Sequence, residues 1–323
     1  MGGGCQSHCS SGLTVTDMSG PVPDYAPLCA PPDRNPRAPR TAFPPLACDT
    51  HAHIFEARFS YAQERIYTPP DSNLADYKHL LKTLGCERAV LVQPSVYGAD
   101  NAAMLDALKN AGPGFRAVAV TDPNIPDSEI DALHRAGVRG LRFNVVDVRA
   151  NKNQVPADML RSVGKRIASR GWHIEMLVNL DEAGDFAPLL ASLGVPVVLG
   201  HLGYPKGGAV AWTGTRAFAD LLRLLYGGQC WIKLTGPYRI TTAADLPYAD
   251  VDEPARRLVA ARPDRMIWGT DWPHVMKKKP MANDGDMTDL FERWIPDAAL
   301  RKRILVDNPA ALYGFAAGEK ISF

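Results

Sequence analysis

The feature that most restricts the fold is an alternation, repeated eight times from Leu46 onward, of short apolar runs with longer amphipathic segments. The runs are LACDTHAHIF from Leu46, RAVLVQPS from Arg88, FRAVAVTD from Phe115 and GVRGLRFNVV from Gly137. WHIEMLVN from Trp172, VPVVLGH from Val195, CWIKLTG from Cys230 and RMIWGTDW from Arg265 complete the set. Near-continuous apolar strands of this kind are what a sheet covered on both faces requires. Between them, NAAMLDALKNAG, DSEIDALHRAG and FADLLRLLYGG repeat Leu or Ala at helical spacing and end near a Gly that can serve as C-cap. Eight strand–helix units predict an α/β chain folded as a (β/α)8 TIM barrel of parallel strands. The alternative is an open doubly wound sheet, but no G-x-G-x-x-G follows the first strand.

A barrel takes about 250 residues, so 323 residues leave room for an extension. Residues 1–44, rich in Gly, Ser and Pro and without periodicity, are expected to form a flexible arm, and residues 45–323 the barrel. Lys and Arg number 36 against 35 Asp and Glu, a formal charge of +1. That balance argues against nucleic acid or an anionic membrane as partner, so any pull on an anionic substrate must come from a few placed side chains. No apolar run reaches the roughly 18 residues of a membrane span. The opening MGGGCQSHCSSG lacks the apolar stretch of a secretory signal, and Gln6 breaks the myristoylation pattern. A cytoplasmic location with free thiols at the six cysteines is expected, Cys5 and Cys9 belonging to the tail rather than to a metal site.

In a barrel the C-terminal strand ends converge on one rim, and that rim carries the chemistry. The first strand ends in His51 and His53, two apart and so on one face; the sixth ends in His201 and the eighth in Asp271. The second closes on Gln93 with Tyr97 beyond it, the fourth carries Arg142 and Asn144, and Tyr238 and Arg239 follow the seventh. A His-x-His pair alone is weak. Four ionisable groups at three strand ends make a set able to polarise a carbonyl or hold a divalent metal. His173, at the opposite rim, is expected to be structural, as are His79 and His134 in helices, and Arg139 is expected in a structural ion pair.

The segments DTHAHIF, RIYTPPD, VQPSVYGADN, RGLRFN, GHLGYP, KLTGPYR, WGTDWPH and ILVDNPAALYGF resemble the amidohydrolase superfamily. The resembling branch holds 2-pyrone-4,6-dicarboxylate lactonase, 4-sulfomuconolactone hydrolase and galactarolactone isomerase-type proteins. The resemblance runs from about Leu46 to Phe315. It implies a hydrolase that opens the ester ring of a small anionic lactone in aromatic-compound degradation. Asp271 would be the base that activates water, and His51, His53 and His201 would polarise the carbonyl. Arg142 and Arg239 would hold a carboxylate or sulfonate, and Tyr67 and Tyr97 would add hydroxyl donors.

Two departures bear on this. Strand five ends Met176-Leu177-Val178-Asn179, without the ligand that metal-dependent relatives place there, so no obligatory metal is expected. One zinc on His51, His53, His201 and Asp271 stays open, and with it a metal-dependent decarboxylase or hydratase. After RGLRFN the chain reads VVDVRAN, with Arg149 the substitute for a basic stretch, which favours a sulfonated or sugar-acid lactone over pyrone dicarboxylate. A sugar-acid lactone isomerase uses the same groups. The loop MKKKPMANDGD is expected to be a solvated surface segment.

Overall fold

A computed structural model describes residues 1, 26–148, 152–277 and 281–323. The eight expected strands are all present: β1 Cys48–Ala52, β2 Arg88–Val92, β3 Phe115–Ala119, β4 Val138–Asn144, β5 His173–Leu177, β6 Val197–Leu199, β7 Cys230–Leu234 and β8 Met266–Trp268. They form one sheet in sequence order with every neighbouring pair parallel. Just beyond β8 the chain bridges back to β1. Ala52 pairs with Trp272, the His53 amide donates to the Trp272 carbonyl at 2.9 Å, and the Asp271 amide donates to the His51 carbonyl at 2.9 Å. The sheet is a nearly closed barrel, and its closing seam passes directly through the residues singled out above.

Helices cover the outside: α1 Leu74–Leu84, α2 Ala102–Ala111, α3 Asp127–Ala136, α4 Ala157–Ile167, α5 Phe186–Ala191, α6 Ala209–Trp212, α7 Arg216–Tyr226, α8 Asp252–Ala261 and α9 Asp284–Trp294. Their ends follow local chemistry. The Asn73 side chain accepts from the Asp76 amide to start α1, the Thr215 side chain accepts from the Phe218 amide to start α7, and Gly85 and Gly137 close α1 and α3 in the left-handed region. Helix α7 buries Phe218, Leu221, Leu224 and Leu225 on one face, each worth about 1.5–3 kcal/mol when removed from water.

Residues 26–44, expected to be a loose arm, lie against the barrel instead. The Leu28 backbone bridges to Thr68, Arg34 pairs with Asp76, and Arg37 pairs with Asp286 and Asp289 of α9. A pattern search for apolar periodicity cannot see a segment anchored by arginines and backbone bonds. Arg139, expected in an ion pair, donates instead to the carbonyls of His134 and Val138. It lies at the second residue of β4, where carbonyls of the preceding turn are in reach. The readings at Cys5, Cys9, Arg149, Lys278 and Lys279 fall outside the described residues. No helix among the described residues is long and apolar enough to cross a membrane. Cys29, Cys48, Cys86 and Cys230 are free thiols.

Candidate active site

Strand β1 is buried along its whole length, and His53 just beyond it is buried too, so an Asp and two His must find partners inside the barrel. Asp49 is the first to do so. Its Oδ1 accepts from the amides of His51 (3.1 Å) and Thr270 (2.9 Å), and its Oδ2 accepts from the hydroxyls of Thr270 (2.6 Å) and Tyr77 (3.0 Å). Burial pushes the Asp49 carboxyl up to about 6 against those four donors. Asp49 thereby ties the end of β1 to the segment after β8 and fixes where His51 and Asp271 stand.

The imidazoles converge on one oxygen. Nε2 of His51 lies 3.5 Å from Asp271 Oδ1, and Nε2 of His53 and of His201 each lie 4.0 Å from it. Neither His51 Nε2 nor Asp271 Oδ1 has a hydrogen-bond partner. The other carboxylate oxygen is fully engaged, accepting from the Tyr238 hydroxyl and from Arg239 Nε at 2.7 Å. The far nitrogens of the rings are held too. His53 Nδ1 lies 2.7 Å from the Val92 carbonyl, and His201 Nδ1 lies 2.8 Å from Thr235 Oγ1.

Backbone strain accompanies this placement. Asp271 has φ 67°, and His201, Leu202 and Tyr204 all have positive φ, a conformation that costs non-glycine residues about 1–3 kcal/mol each. Gly236, with φ 57°, is needed for the close approach: a Cβ there would stand 2.8 Å from His201 Nδ1 and 3.2 Å from Asp271 Oδ2.

Protonation follows from the surroundings. Burial lowers His51 well below the ordinary imidazole range, with the Lys233 charge adding to it. Burial, then Arg142, brings His53 down to about 3, and burial brings His201 down to about 4. Burial alone would raise Asp271, but Arg239 and the three imidazoles outweigh it and hold the carboxyl well below the usual range. At neutral pH the centre is one carboxylate facing three neutral imidazoles.

The remaining expected residues separate. Arg142 is buried, donates to the Gln93 carbonyl at 2.6 Å and keeps an unpartnered Nε. Tyr67 is buried and bonded to Ser95, under the influence of Arg142 and Arg239. Tyr97 does not contribute a free hydroxyl: it donates to the Glu56 carbonyl (3.0 Å) and accepts from the Glu56 amide (2.9 Å). The segment before it, not the site, uses that hydroxyl. Asn144 turns into its own loop, accepting from the Val146 and Asp147 amides. His173 is fully buried at the start of β5, edge-on to Tyr313. Tyr204, which packs against His201, and Arg239, which holds Asp271, also line a polar cavity of about 680 Å3 whose wall includes Lys152, Asn179 and Lys206.

Two charged residues went unnoticed in the sequence. Lys233 of β7 and Glu175 of β5 form a fully buried pair, Nζ to Oε2 2.6 Å, behind His51. The Lys233 Nζ also stands 2.7 Å from the Thr50 carbonyl and 3.1 Å from His51 Nδ1. The available signal was a charge in the middle of each otherwise apolar run, CWIKL and HIEML.

A zinc among these groups meets the spacing, since ligand atoms of His51, His201 and Asp271 lie within 4.8 Å of one another. It does not meet the charge. Lys233 touches the back of His51, Arg239 holds Asp271, Arg142 acts on His53, and Glu175 is already spent on Lys233. A dication would enter a buried site with three fixed cations and one free carboxylate oxygen.

The sequence profile of the amidohydrolase family matches residues 48–315. A 2-pyrone-4,6-dicarboxylate hydrolase of Comamonas testosteroni is 38% identical over 292 residues, covering 86% of this chain and 93% of that one. A 4-sulfomuconolactone hydrolase of Hydrogenophaga intermedia is 34% identical over 310 residues, covering 93% and 99%. A solved apo structure from Agrobacterium tumefaciens superposes with a TM-score of 0.78 at 29% identity, covering 86% of this chain and 99% of that one.

Proposed function

The chain belongs to the amidohydrolase family, and from that premise we propose that it hydrolyses the ring ester of a small anionic lactone, without a resident metal. The observation that carries this is the unpartnered Oδ1 of Asp271 facing three neutral imidazoles, while Arg239, which holds the other oxygen of that carboxylate, stands in the wall of a polar cavity. The relatives that act on pyrone dicarboxylate and sulfomuconolactone support the substrate class.

Asp271 is ionised, and its one free oxygen accepts the proton of a water as that water attacks the lactone carbonyl carbon. The carbonyl electron pair moves to oxygen, where ring N–H groups stabilise the oxyanion. Collapse restores the carbonyl and expels the ring oxygen, which takes the proton back from Asp271. The product is a free acid and an enol or alcohol, with no covalent intermediate. Arg142, through its unpartnered Nε, and Arg239, which lines the cavity, hold the substrate's carboxylate or sulfonate, and Tyr67 adds a hydroxyl beside them.

Ring opening followed by ultraviolet absorbance tests this on 2-pyrone-4,6-dicarboxylate, 4-sulfomuconolactone, muconolactone and galactarolactone, with chelator-stripped protein and with zinc returned. Stripped enzyme should open at least one lactone, and Asp271→Asn should lose about 10³-fold in kcat with little change in KM. Wild-type turnover by that variant removes Asp271 as the base. No turnover on any lactone removes the lactonase, turnover only with zinc reinstates a metal enzyme, and a rearranged lactone as product makes it an isomerase.

A further inference from the structure

The buried Glu175–Lys233 pair stands inside the barrel, away from the cavity, and charges so placed are costly unless they do something for their neighbours. What they do is legible from hydrogen-bond chemistry. An ammonium has three N–H donors and no acceptor. Those of Lys233 face the Thr50 carbonyl (2.7 Å), the Glu175 carboxylate (2.6 Å) and His51 Nδ1 (3.1 Å). Were His51 Nδ1 protonated, its N–H would confront the Lys233 ammonium at 3.1 Å, with only the more distant Glu175 Oε1, 3.4 Å away in a carboxylate that already holds Lys233, to accept from it. A neutral His51 therefore carries its proton on Nε2, the nitrogen aimed at Asp271 Oδ1.

His53, two residues on, is fixed the opposite way. Its Nδ1 faces the Val92 carbonyl at 2.7 Å, and a carbonyl only accepts, so the proton is on Nδ1 and a lone pair on Nε2. Both rings point their Nε2 at the same carboxylate oxygen, from 3.5 and 4.0 Å. One offers a proton and the other an electron pair.

We propose that Lys233, held by Glu175, is a positioning residue that locks His51 as an N–H donor to the developing oxyanion, while His53 is locked as an acceptor that orients the attacking water. This rests on the lactonase reading for its chemistry and refines it, for the three imidazoles no longer share one task. It also explains why Lys233 suits His51 poorly to a cation: a ring whose Nε2 carries the proton has no lone pair to give there.

The test reads the tautomers directly. Long-range proton–nitrogen correlation spectra of protein labelled with ¹⁵N-histidine distinguish Nε2–H from Nδ1–H rings, and His51 and His53 are assigned from the signals lost in His51→Gln and His53→Gln. The expected result is Nε2–H at His51 and Nδ1–H at His53. The same tautomer at both, or the reverse pattern, overturns the proposal whether or not any lactone is turned over. A variant supplies the functional half. In Glu175→Gln with Lys233→Met both charges go together, so none is stranded, and the amide oxygen at 175 can accept from His51 Nδ1. The His51 signal should move to Nδ1–H, and kcat should fall about 100-fold with KM within about threefold. Calorimetric titration should show zinc binding more tightly to this variant than to wild type. A moved tautomer with unchanged kcat overturns the role assigned to His51. If that variant does not fold, the wild-type spectrum alone decides. A lactone panel that fails while the tautomers are as stated removes the substrate class and leaves the positioning intact.

Discussion

Asp271 Oδ2 is held by the Tyr238 hydroxyl and by Arg239 Nε at 2.7 Å, and the charged contact of the two sets how strong a base the carboxylate can be. A carboxyl kept well below its ordinary range is a reluctant proton acceptor. Arg239 also lines the cavity, so under the proposed reaction a substrate anion bound there would draw part of the guanidinium's field away from Asp271 and return basicity to it. Removing the guanidinium has a signed consequence. In Arg239→Met the Asp271 carboxyl loses its strongest charge partner while burial still pushes it up, so its pKa rises. The acid limb of the kcat/KM profile should then move to higher pH, and KM should rise because an anion anchor is gone. Wild type should be flat in this respect between pH 5 and 8, and a variant profile equally flat would mean that Arg239 does not set the protonation of Asp271.

At the scale of elements, the site depends on one seam, the join of β1 to the segment after β8, and Asp49 is its fastening. All four of its neighbours are donors, from His51, Thr270 and Tyr77. Asp49→Asn turns one acceptor into a donor that faces another donor, a fault costing about 1–3 kcal/mol when buried. The expected outcome is a lower midpoint in urea and a larger loss of kcat than of KM, because the seam also carries Asp271. A variant as stable and as active as wild type would show that the backbone bonds between His51, His53, Asp271 and Trp272 close the barrel unaided. The strand sequence declares the elements but not this fastening. Each of the eight strands was readable because a strand buried on both faces is apolar throughout, and His51, His53, His201 and Asp271 were readable because strand ends share a rim. Asp49 was not, since its value lies in tying His51 and Tyr77 to Thr270, 221 positions away. Lys233 and Glu175 were charges inside apolar runs, and only the pairing of β7 and β5 across the interior gives them meaning. Tyr97 failed for the converse reason: its position in the loop was right, but its hydroxyl was claimed by the Glu56 backbone.

For the molecule as a whole, burying imidazoles carries a cost that pH exposes. Four of the eight histidines sit in the barrel with lowered pKa values: His51 well below the ordinary range, His53 at about 3, and His173 and His201 at about 4, burial being the first cause in each. Unfolded, each would titrate near its ordinary value of about 6.5. Between there and the folded values the unfolded chain binds more protons, so stability falls as pH falls. Asp49 works the other way. Its folded value of about 6 lies above the ordinary 3.8, so in that window the folded chain holds a proton that the unfolded chain releases. Four against one leaves about three protons taken up on unfolding near pH 5.5. At about 1.4 kcal/mol per proton and pH unit, that removes up to about 10 kcal/mol between pH 6.5 and 4, comparable with a whole stability of about 5–15 kcal/mol. Urea unfolding between pH 7.5 and 4.5 should show a midpoint that drops steeply below pH 6.5. His173 allows the share of one group to be isolated, because it lies at the opposite end of the barrel from Asp271 and neither of its ring nitrogens has a partner. His173→Met should keep its lactone turnover while the pH slope of its stability shrinks by about one proton. A flat wild-type midpoint across this range would mean that the buried rings take up protons while the barrel stays folded, and the carboxylate would then face imidazolium rather than imidazole in acid.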